Sequence, residues 1–451
     1  MSTANPRQLA FSILSRVEEG AYADLALDAE LARAGRIDPR DRGLVTELVY
    51  GVLRQRGRLD FALSRFCSKP LAKVEPRVLT MLRIGAYQLL MLDRVPAPAA
   101  VHETVELARR ENLERVTGFI NGILRSLIRQ QQEIVWPDPA DVIPYLEKMM
   151  VFPHWLAKSW VGQFGPQEAV VLAEALLQPA PFTVRVNTLK ITRAAFLEEL
   201  LNRGFEARPT QYAPEGVVIT ARGEATIPGD AVGWYQVQDE ASMLIAHLLG
   251  PQPGERILDA CSAPGGKTTH VCALGENAVD LLALDLHPQR VRLVESGALR
   301  LGCRGIETRA WDLTRDPTFL DHQSFDRVLV DAPCSGLGVL RRNPEIRWRR
   351  TAKDVTLMAE QQRSILANTA PLVRSGGRLL YSLCTLTAEE TTGVVQSFLR
   401  EHPEFEPEDL RGAAPADWQE LFADDGCLHT WPHRHGGMDA FFAMAFRRRE
   451  R

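Results

Sequence analysis

The feature that most restricts the fold is a regular alternation of strand-like and helix-like segments from residue 251 onward. Short apolar runs are separated by stretches of helical length and period, which is typical of a doubly wound, mostly parallel sheet. The predicted strands are 256–260, 281–286, 305–310, 327–332 and 378–383. Such sheets bind ligands at the carboxyl ends of their strands. We therefore expect an α/β domain over residues 233–451, with its functional groups just past these strands.

The rest of the chain predicts two further domains. Apolar residues recur with the 3.6-residue period of helices through residues 1–135, which indicates an all-helical domain. The predicted helices are 6–18, 42–56, 75–92, 98–110 and 113–129. Glutamines and prolines in 131–150 indicate a linker. Residues 145–232 predict a small α+β domain, with two helices before a strand at 183–190, a helix at 192–204 and a strand at 216–220. A helix over 234–249 is expected to open the α/β domain.

Composition narrows the class of protein. A chain of 451 residues is too long for a single hydrophobic core, so more than one domain is expected. The net charge of −4 shows that the whole protein is not a polycation, but a local basic patch could still bind nucleic acid. The seven cysteines contain no CxxC pair, so neither a disulfide framework nor a metal site is expected. No apolar run is long enough for a membrane span. The first residues lack a basic segment followed by a long apolar stretch, so we expect an unprocessed, cytoplasmic protein. We expect a monomer.

The segment ILDACSAPGGKTTH, at 257–270, predicts the first strand–turn–helix unit of the sheet. Gly265 and Gly266 allow a tight turn and a close approach of the backbone to a ligand. The pattern is neither GxxxxGK[ST] nor GxGxxG. Asp259 places a carboxylate in the site, which disfavours a phosphate ligand and favours a cationic, hydroxyl-bearing one. S-adenosylmethionine has both properties.

Three more aspartates follow predicted strands. Asp285 is placed to accept hydrogen bonds from ribose hydroxyls, Asp312 to reach an adenine amino group, and Asp331 begins the loop DAPCSGLG. For any one aspartate, a helix N-cap is an equally good explanation. Together with Asp259, carboxylates at four successive strand ends make that explanation poor for the set.

Cys334 and Cys384 each lie just past an apolar strand, at the functional edge of the sheet. The usual role of a lone cysteine is a small core residue. A thiolate that adds to carbon-6 of cytosine makes carbon-5 nucleophilic enough to attack a methyl sulfonium, which is covalent catalysis by an activated thiol. A carboxyl group hydrogen-bonded to ring N3 would stabilise the adduct. On chemistry alone either cysteine is a plausible nucleophile.

Basic residues suggest contacts with RNA. The segment RRNPEIRWRR, at 341–350, holds five arginines around Trp348, and arginines neutralise phosphates while an aromatic ring stacks on an unpaired base. A solvated helix start is the alternative. A second group lies on the strand 183–190, where a solvated strand face is about as plausible. Its members are Arg185, Asn187 and Lys190. The terminal FRRRER, at 446–451, is ambiguous because basic tails are often only solvated.

Several motifs resemble known families. Residues 41–60, 82–109 and 118–125, which include Asn121, resemble the NusB-like RNA-binding domain. ACSAPGGKT, DAPCSGLG and YSLCT resemble the 5-methylcytosine RNA methyltransferases, and RVNTLK resembles the small domain that precedes their catalytic core. From this combination the chain is identified as a member of the ribosomal RNA small subunit methyltransferase B (Sun/Fmu) family.

The resemblance implies an all-α NusB-like bundle, a small α+β domain and a Rossmann-like methyltransferase domain. It implies methylation of carbon-5 of a cytosine in 16S ribosomal RNA or a small-subunit precursor. A target base must leave its helix for this chemistry, so the site needs single-stranded or loop RNA or must extrude the base. Cys384 would be the nucleophile, Cys334 would assist resolution of the adduct, and Asp331 would face cytosine N3. The implied cofactor contacts are Cys261, Ser262, Ala263, Pro264, Gly265, Gly266, Lys267, Asp285, Asp312 and Asp331.

Two departures from the family pattern are mild. Thr385 replaces the usual serine after the nucleophile and keeps the hydroxyl, and Ala440 in DAFF replaces a glycine, so that turn should not need a left-handed residue. Two alternatives remain. The same chemistry could act on transfer RNA or another ribosomal site, which the NusB-like domain disfavours. An inactive RNA-binding assembly factor is disfavoured by the intact Asp331, Cys334 and Cys384.

Overall fold

The computed structural model describes residues 5–35, 37–221, 226–412 and 414–450, so the first four residues of the predicted unprocessed start lie outside it. The chain forms two compact units, one of residues 1–179 and 340–351, the other of residues 180–339 and 352–451. The three-domain division predicted above divides the chain differently and stays a prediction. Among the described residues, no helix has the length and apolarity that a membrane crossing requires.

The first unit is a helical bundle, as the 3.6-residue period predicts. Asn5 caps the first helix by accepting from the backbone N–H groups of Arg7 and Gln8, and the apolar face of that helix is buried. Numbered along the whole chain, its helices are α1 Pro6–Glu18, α2 Ala23–Ala34, α3 Pro39–Arg54, α4 Arg56–Ser64, α5 Pro76–Met91, α6 Ala97–Arg110, α7 Thr117–Gln130, α8 Val142–Met149, α9 His154–Phe164, α10 Pro166–Ala175 and α15 Ile346–Arg349. The predicted linker therefore contains α8, whose apolar side is buried.

The second unit contains two sheets. Its strands are β1 Thr183–Val186, β2 Glu206–Pro209, β3 Gly216–Ala221, β4 Tyr235–Val237, β5 Arg256–Asp259, β6 Asp280–Asp285, β7 Ile306–Ala310, β8 Phe325–Asp331, β9 Val373–Leu383, β10 Phe405–Glu408, β11 Leu428–His429 and β12 Phe442–Arg448. Its helices are α11 Arg193–Asn202, α12 Glu240–Leu249, α13 Gly266–Leu274, α14 Pro288–Leu301, α16 Ala352–Thr369 and α17 Thr392–Glu401.

The larger sheet confirms the predicted doubly wound arrangement. Its strand order is β10-β12-β9-β8-β5-β6-β7, with β11 paired to β12. The five strands from β9 to β7 are parallel, whereas β12 and β10 add antiparallel strands at one edge. The chain runs outward from β5 to β7 and then continues at β8, on the other side of β5. The order of strands thus reverses between β5 and β8, where open α/β sheets bind ligands.

The smaller sheet is antiparallel, with the order β2-β3-β1-β4, and it corrects one predicted boundary. The helix expected over 234–249 begins only at Glu240, because Tyr235–Val237 pairs with β1 as β4. Asp239 then caps α12 by accepting from the N–H of Ala241.

Two of the three polar residues of the predicted strand 183–190, Arg185 and Asn187, are buried and so form no solvated face, whereas Lys190 is exposed. Arg185 is 2% exposed and donates to the side chain of Thr269 at 3.0 Å and to the carbonyl of Gly266. Asn187 donates to the carbonyls of Gly233 and Leu301, and Lys190 bonds two other carbonyls. The expected phosphate contacts of Arg185 and Asn187 are therefore wrong, and that of Lys190 stays a prediction. A strand buried on both faces needs internal partners for its polar groups.

The arginine-rich segment 341–350 is also placed differently from the prediction. It belongs to the first unit, although the residues on both sides of it belong to the second. Arg347 is fully buried and donates to the carbonyl of Leu53 at 2.7 Å, and Arg349 donates to carbonyls of the first helical hairpin. Trp348 packs on the helical core with the guanidinium of Arg56 4.6 Å from its ring centre. These residues hold a packed segment, so the solvated alternative is wrong, and so is an RNA contact of the buried Arg347. An RNA contact of the half-buried Arg342, Trp348 and Arg350 stays a prediction.

The carboxyl-terminal arginines extend a strand rather than forming a solvated tail. β12 continues to Arg448, whose guanidinium donates to the carbonyl of Val373 at 2.7 Å. Arg447 pairs with Glu408, and Arg449 lies 3.4 Å from Glu406. The last residue of the chain lies outside the described part.

Candidate active site

The carboxyl ends of β5, β8 and β9 carry the polar groups of the site. β5 ends at Asp259, and β8, its parallel neighbour, ends at Asp331. β9 pairs with the other side of β8 and ends one residue before Cys384. The sheet therefore brings together residues that are far apart in the sequence, as its predicted topology requires.

The turn after β5 rests on the end of β6. Gly265 has a φ of +100°, which favours glycine, and its N–H donates to the carbonyl of Ser262 at 2.8 Å. A Cβ on Gly265 would lie 3.1 Å from Cα of Val294. The N–H of Ala263 donates to a carboxylate oxygen of Asp285 at 3.2 Å. The glycine-containing turn and the second strand-end aspartate therefore form one structural element.

Asp259 is a buried carboxyl group, 1% exposed. Burial raises its pKa from 3.8 to about 7, although the hydroxyl of Thr268 donates to one oxygen at 2.7 Å. The other oxygen has no hydrogen-bond partner among the residues that the structure describes, and the same holds for the hydroxyl of Ser262. Two buried polar atoms at this turn thus remain available to a ligand.

Asp285 and Asp312 lie at the ends of β6 and β7, as predicted. Asp285 accepts from the N–H groups of Ala263 and His287, which leaves lone pairs on both oxygens for further donors. The backbone N–H of Trp311, next to Asp312, donates to the carbonyl of Asp285 at 2.9 Å. Hydrogen bonds from Thr314 lower the pKa of Asp312, so it is ionised at neutral pH.

Asp331 sits between two donors. Its oxygens accept from the ammonium of Lys267 at 2.7 Å and from the hydroxyl of Ser382 at 2.8 Å. Lys267 also lies 5.1 Å from the ring centre of Phe441. The sequence motifs named both Lys267 and Asp331 but did not predict that they form an ion pair.

The sulfur atoms of Cys334 and Cys384 lie 3.3 Å apart, and both residues are half-buried. The hydrogen bond with Cys384 and burial raise the pKa of Cys334 well above that of an ordinary thiol. Two thiolates this close would repel each other, so at most one of the two sulfur atoms is ionised at a time. The pair thus contains one thiol that stays protonated and one sulfur that can accept a hydrogen bond from it.

Glu390 is a residue of the site that the sequence analysis missed. It is fully buried and accepts from the backbone N–H of Ser335 at 2.8 Å and from the hydroxyl of Thr387 at 2.7 Å. Gln362 donates to the same carboxylate at 3.0 Å. The only signal was the pair Glu389 and Glu390, which directly follows the run CTLTA, and a helix start explains that pair equally well.

Gly338 joins three motifs through its backbone. Its N–H donates to the carbonyl of Cys384 at 2.9 Å, and its carbonyl accepts from the N–H of Ala440 at 3.1 Å. A Cβ on Gly338 would lie only 2.2 Å from the carbonyl oxygen of Ala440, so no other residue fits without a shift. Ala440 itself has no positive φ, which confirms that this turn does not need a glycine.

These residues fit S-adenosylmethionine. Oxygen atoms of Asp259 and Ser262 lack partners at the turn, Asp285 keeps lone pairs for hydroxyl donors, and Asp312 is an ionised acceptor beside it. The glycine-containing turn precedes the first N–H groups of α13 and allows close approach. Carboxylates surround the site, which favours a cationic sulfonium over a phosphate.

Comparison with protein families agrees with this chemistry. Residues 246–447 match the model described as 16S rRNA methyltransferase RsmB/F, and residues 4–129 match the NusB family. Residues 152–226 match the ferredoxin-like domain of RsmF/B-like methyltransferases. The predicted combination of a NusB-like bundle, a small α+β domain and a methyltransferase domain is thereby confirmed.

Full-length relatives lead to the same conclusion. A probable ribosomal RNA small subunit methyltransferase B from Bacillus subtilis (strain 168) is 37% identical over 100% of both chains. A protein of the same name from Synechocystis sp. (strain PCC 6803) is 35% identical, covering 97% of this chain and 98% of its own. The crystal structure of PH0851 shares the fold, with a TM-score of 0.81 over 99% of both chains and 24% identity. The chain belongs to the ribosomal RNA small subunit methyltransferase B family, whose members are S-adenosylmethionine-dependent methyltransferases.

Proposed function

We propose that this protein methylates carbon-5 of a cytosine in 16S ribosomal RNA through a covalent adduct with Cys384. The observation that carries the proposal is the pair of sulfur atoms 3.3 Å apart just past the ends of β8 and β9, on the loop that begins at Asp331 and on the next parallel strand. The cofactor supplies an electrophilic methyl group. A single nucleophilic residue would suffice for addition, whereas a second thiol in contact with it indicates a step in which the first must be released.

Cys384 is assigned as the nucleophile because it stands in YSLCT, the motif whose cysteine forms the adduct in the 5-methylcytosine RNA methyltransferases that this chain resembles. The raised pKa of Cys334 agrees with that assignment. The Cys384 sulfur adds to carbon-6, and the electron pair of the 5,6 double bond moves toward N3. As the sulfur adds, the proton of the Cys384 thiol is passed to N3 by way of the carboxyl group of Asp331, which would lie opposite that nitrogen. The ammonium of Lys267, 2.7 Å from Asp331, stabilises negative charge on this side of the ring. Carbon-5 thereby gains the electron density that it needs to attack the methyl group.

Release of the product requires the reverse movement of electrons. When a base removes the carbon-5 proton, the double bond re-forms and the bond between Cys384 and carbon-6 breaks. The leaving sulfur regains negative charge, and the thiol of Cys334 donates a hydrogen bond to it. We therefore assign Cys334 to resolution of the adduct.

The cofactor would be held along the edge formed by β5, β6 and β7. The residues from Cys261 to Lys267 would surround it through the backbone of the turn, and Asp259 would face its positive charge. Asp285 would accept from ribose hydroxyls, and Asp312 from an adenine amino group. Their positions at adjacent strand ends support these assignments.

Transfer of tritiated methyl groups tests the proposed substrate. Naked 16S RNA, assembled small subunits and transfer RNA would be compared, and the labelled base would be identified after digestion to nucleosides. We expect label in 5-methylcytidine of 16S RNA in at least one of the first two substrates. Label in transfer RNA alone, or in another base, would replace the proposal, and absence of transfer to all three would favour an RNA-binding assembly factor.

A further inference from the structure

Glu390 is the acceptor for a group of donors that surround the two cysteines, yet its own carboxylate bonds neither sulfur. One oxygen accepts from the N–H of Ser335 at 2.8 Å and the side-chain amide of Gln362 at 3.0 Å. The other accepts from the hydroxyls of Ser335 at 2.5 Å, Thr387 at 2.7 Å and Thr385 at 3.1 Å. A carboxylate has about four lone-pair sites, so these five donors more than fill it, and the hydroxyl proton of Thr385 is shared between Glu390 and the Ser335 hydroxyl oxygen.

The donors include the residue directly after each cysteine. Ser335 follows Cys334 and Thr385 follows Cys384, and their hydroxyl oxygens lie 2.6 Å apart. One carboxylate therefore fixes two chain segments that are 50 residues apart in the sequence. These bonds hold together the two loops that carry the sulfur atoms, and the sulfur atoms lie 3.3 Å apart.

A second layer holds the residue before Cys334. The side-chain amide of Gln362 donates to the carbonyl of Pro333 at 2.9 Å as well as to Glu390. The hydroxyl of Tyr381 bonds the side-chain oxygen of Gln362 at 2.9 Å and the backbone carbonyl of Glu390 at 2.8 Å. All of these side chains are buried, and bonds to an ionised acceptor are stronger than neutral ones in such surroundings.

We propose that Glu390 is a positioning residue that holds the sulfur atoms of Cys334 and Cys384 at the separation required for adduct formation and release. The inference rests on the proposed function for its effect on catalysis but on geometry alone for its effect on the two thiols. Replacement of Glu390 by glutamine keeps the shape and turns one acceptor oxygen into an N–H₂ group. That group faces existing donors, so at least one of the two loops loses its attachment.

The first test measures catalysis in Glu390→Gln. We expect kcat for methyl transfer to fall by about 10²-fold, the effect of a displacement of about 1 Å between reacting groups. The KM for S-adenosylmethionine should stay within about twofold, because Asp259 and Asp285 are untouched. Glu240→Gln is the matched control, since Glu240 is equally buried and accepts from the N–H groups of Tyr212 and Ala213. The control should lose stability but keep kcat.

The second test measures the thiols without RNA or cofactor. Diamide oxidises two neighbouring thiols to a disulfide; each thiol loses a proton and an electron, and the diazene becomes a hydrazine. Mass spectrometry of the peptide that links Cys334 and Cys384 would follow the rate. We expect at least a fivefold slower rate in Glu390→Gln and no change in Glu240→Gln. This readout remains valid if the RNA product is not 5-methylcytidine, so the two proposals can fail separately.

A milder pair of variants keeps the proposal testable if Glu390→Gln does not fold. Thr385→Val removes one hydroxyl of the group, and Thr385→Ser keeps it. We expect the valine variant to slow both kcat and disulfide formation, and the serine variant to restore both. The assignment would be overturned if both Thr385→Val and Glu390→Gln kept the wild-type kcat and the wild-type rate of disulfide formation. It would also be overturned if the loss of kcat in these variants came with an equal rise of the KM for the cofactor.

Discussion

Two adjacent stretches of the chain place their charged groups in opposite ways. The loop that begins at Asp331 keeps polar groups at a strand end, where the topology of the sheet leaves them facing a site. The segment 341–350, which follows within a few residues, buries Arg341, Glu345 and Arg347 in the helical unit. A residue at the carboxyl end of a parallel strand can be predicted to face a ligand, because the topology of the sheet brings that end to the binding edge whatever the neighbouring sequence is. A run of arginines carries no such constraint, since a guanidinium can cap backbone carbonyls as readily as it binds phosphate.

The largest effect is expected at the strand ends. Cys384→Ala removes the sulfur that would bond to carbon-6, so methyl transfer should fall on the order of 10³-fold or more. The covalent protein–RNA complex should disappear with it, as seen on a denaturing gel with 5-fluorocytidine-containing RNA. Folding should be unchanged by circular dichroism. A complex that persists in Cys384→Ala would assign the nucleophile to Cys334 instead.

The next effect concerns a buried charge at the end of β5. Because burial raises the pKa of Asp259 from 3.8 to about 7, the unfolded chain releases this proton at a lower pH than the folded protein does. The contribution of Asp259 to the free energy of unfolding is therefore constant below about pH 4, falls as the pH rises from about 4 to 7, and is constant again above about pH 7. Asp259→Asn should gain up to about 4 kcal/mol over wild type across that window.

Urea denaturation of both proteins at several pH values, without cofactor, would measure this difference. Asp409→Asn provides a control, because Asp409 is exposed and pairs with Arg411 on the surface. A difference between wild type and Asp259→Asn that does not change with pH would show that Asp259 is already ionised in the folded protein.

A smaller effect is expected from the second thiol. Cys334→Ala should still form the adduct but release it about 10²-fold more slowly, because the leaving sulfur loses its hydrogen-bond donor. The complex with unmodified RNA should then accumulate on a denaturing gel. Turnover at the wild-type rate without accumulation would remove Cys334 from the proposed mechanism.

The smallest effect tests the arginine-rich segment. Arg347→Ala leaves the carbonyls of Leu53 and Arg54 without this donor, but it also relieves the cost of a buried cation, whose pKa burial lowers to about 9. We expect a net loss of about 2 kcal/mol in the free energy of unfolding, measured with urea. The exposed Arg42→Ala on α3 should change it by less than about 0.5 kcal/mol.

Salt dependence separates this role from RNA binding. If Arg347 contacted a phosphate, its removal would lower the slope of log K against log salt by about one. We expect the slope for 16S RNA to stay unchanged in Arg347→Ala. A reduced slope with unchanged stability would restore the RNA contact and erase the difference between the two stretches.

The same contrast explains what the sequence could predict. Periodicity predicted most helices and the parallel strands, because both depend on local apolar spacing. The positions of Asp259, Asp285, Asp331, Cys334 and Cys384 followed from strand ends. The Glu390 group did not, because its bonds join segments whose relative placement only the folded sheet defines. The contacts of Arg185 and Arg347 could not be predicted from the sequence either, because burial of an arginine depends on which backbone carbonyls the folded chain leaves without other donors.

The assignment of residues 340–351 to the helical unit has a consequence for biosynthesis. The other residues of the helical unit, up to residue 179, leave the ribosome well before residues 340–351 are translated. At roughly 5–20 residues per second, the bundle must wait on the order of ten seconds or longer for the segment that completes its packing. During that interval the surface that later receives Trp348 and Arg347 is uncovered, so a nascent chain stalled before residue 340 is the form most in need of a chaperone.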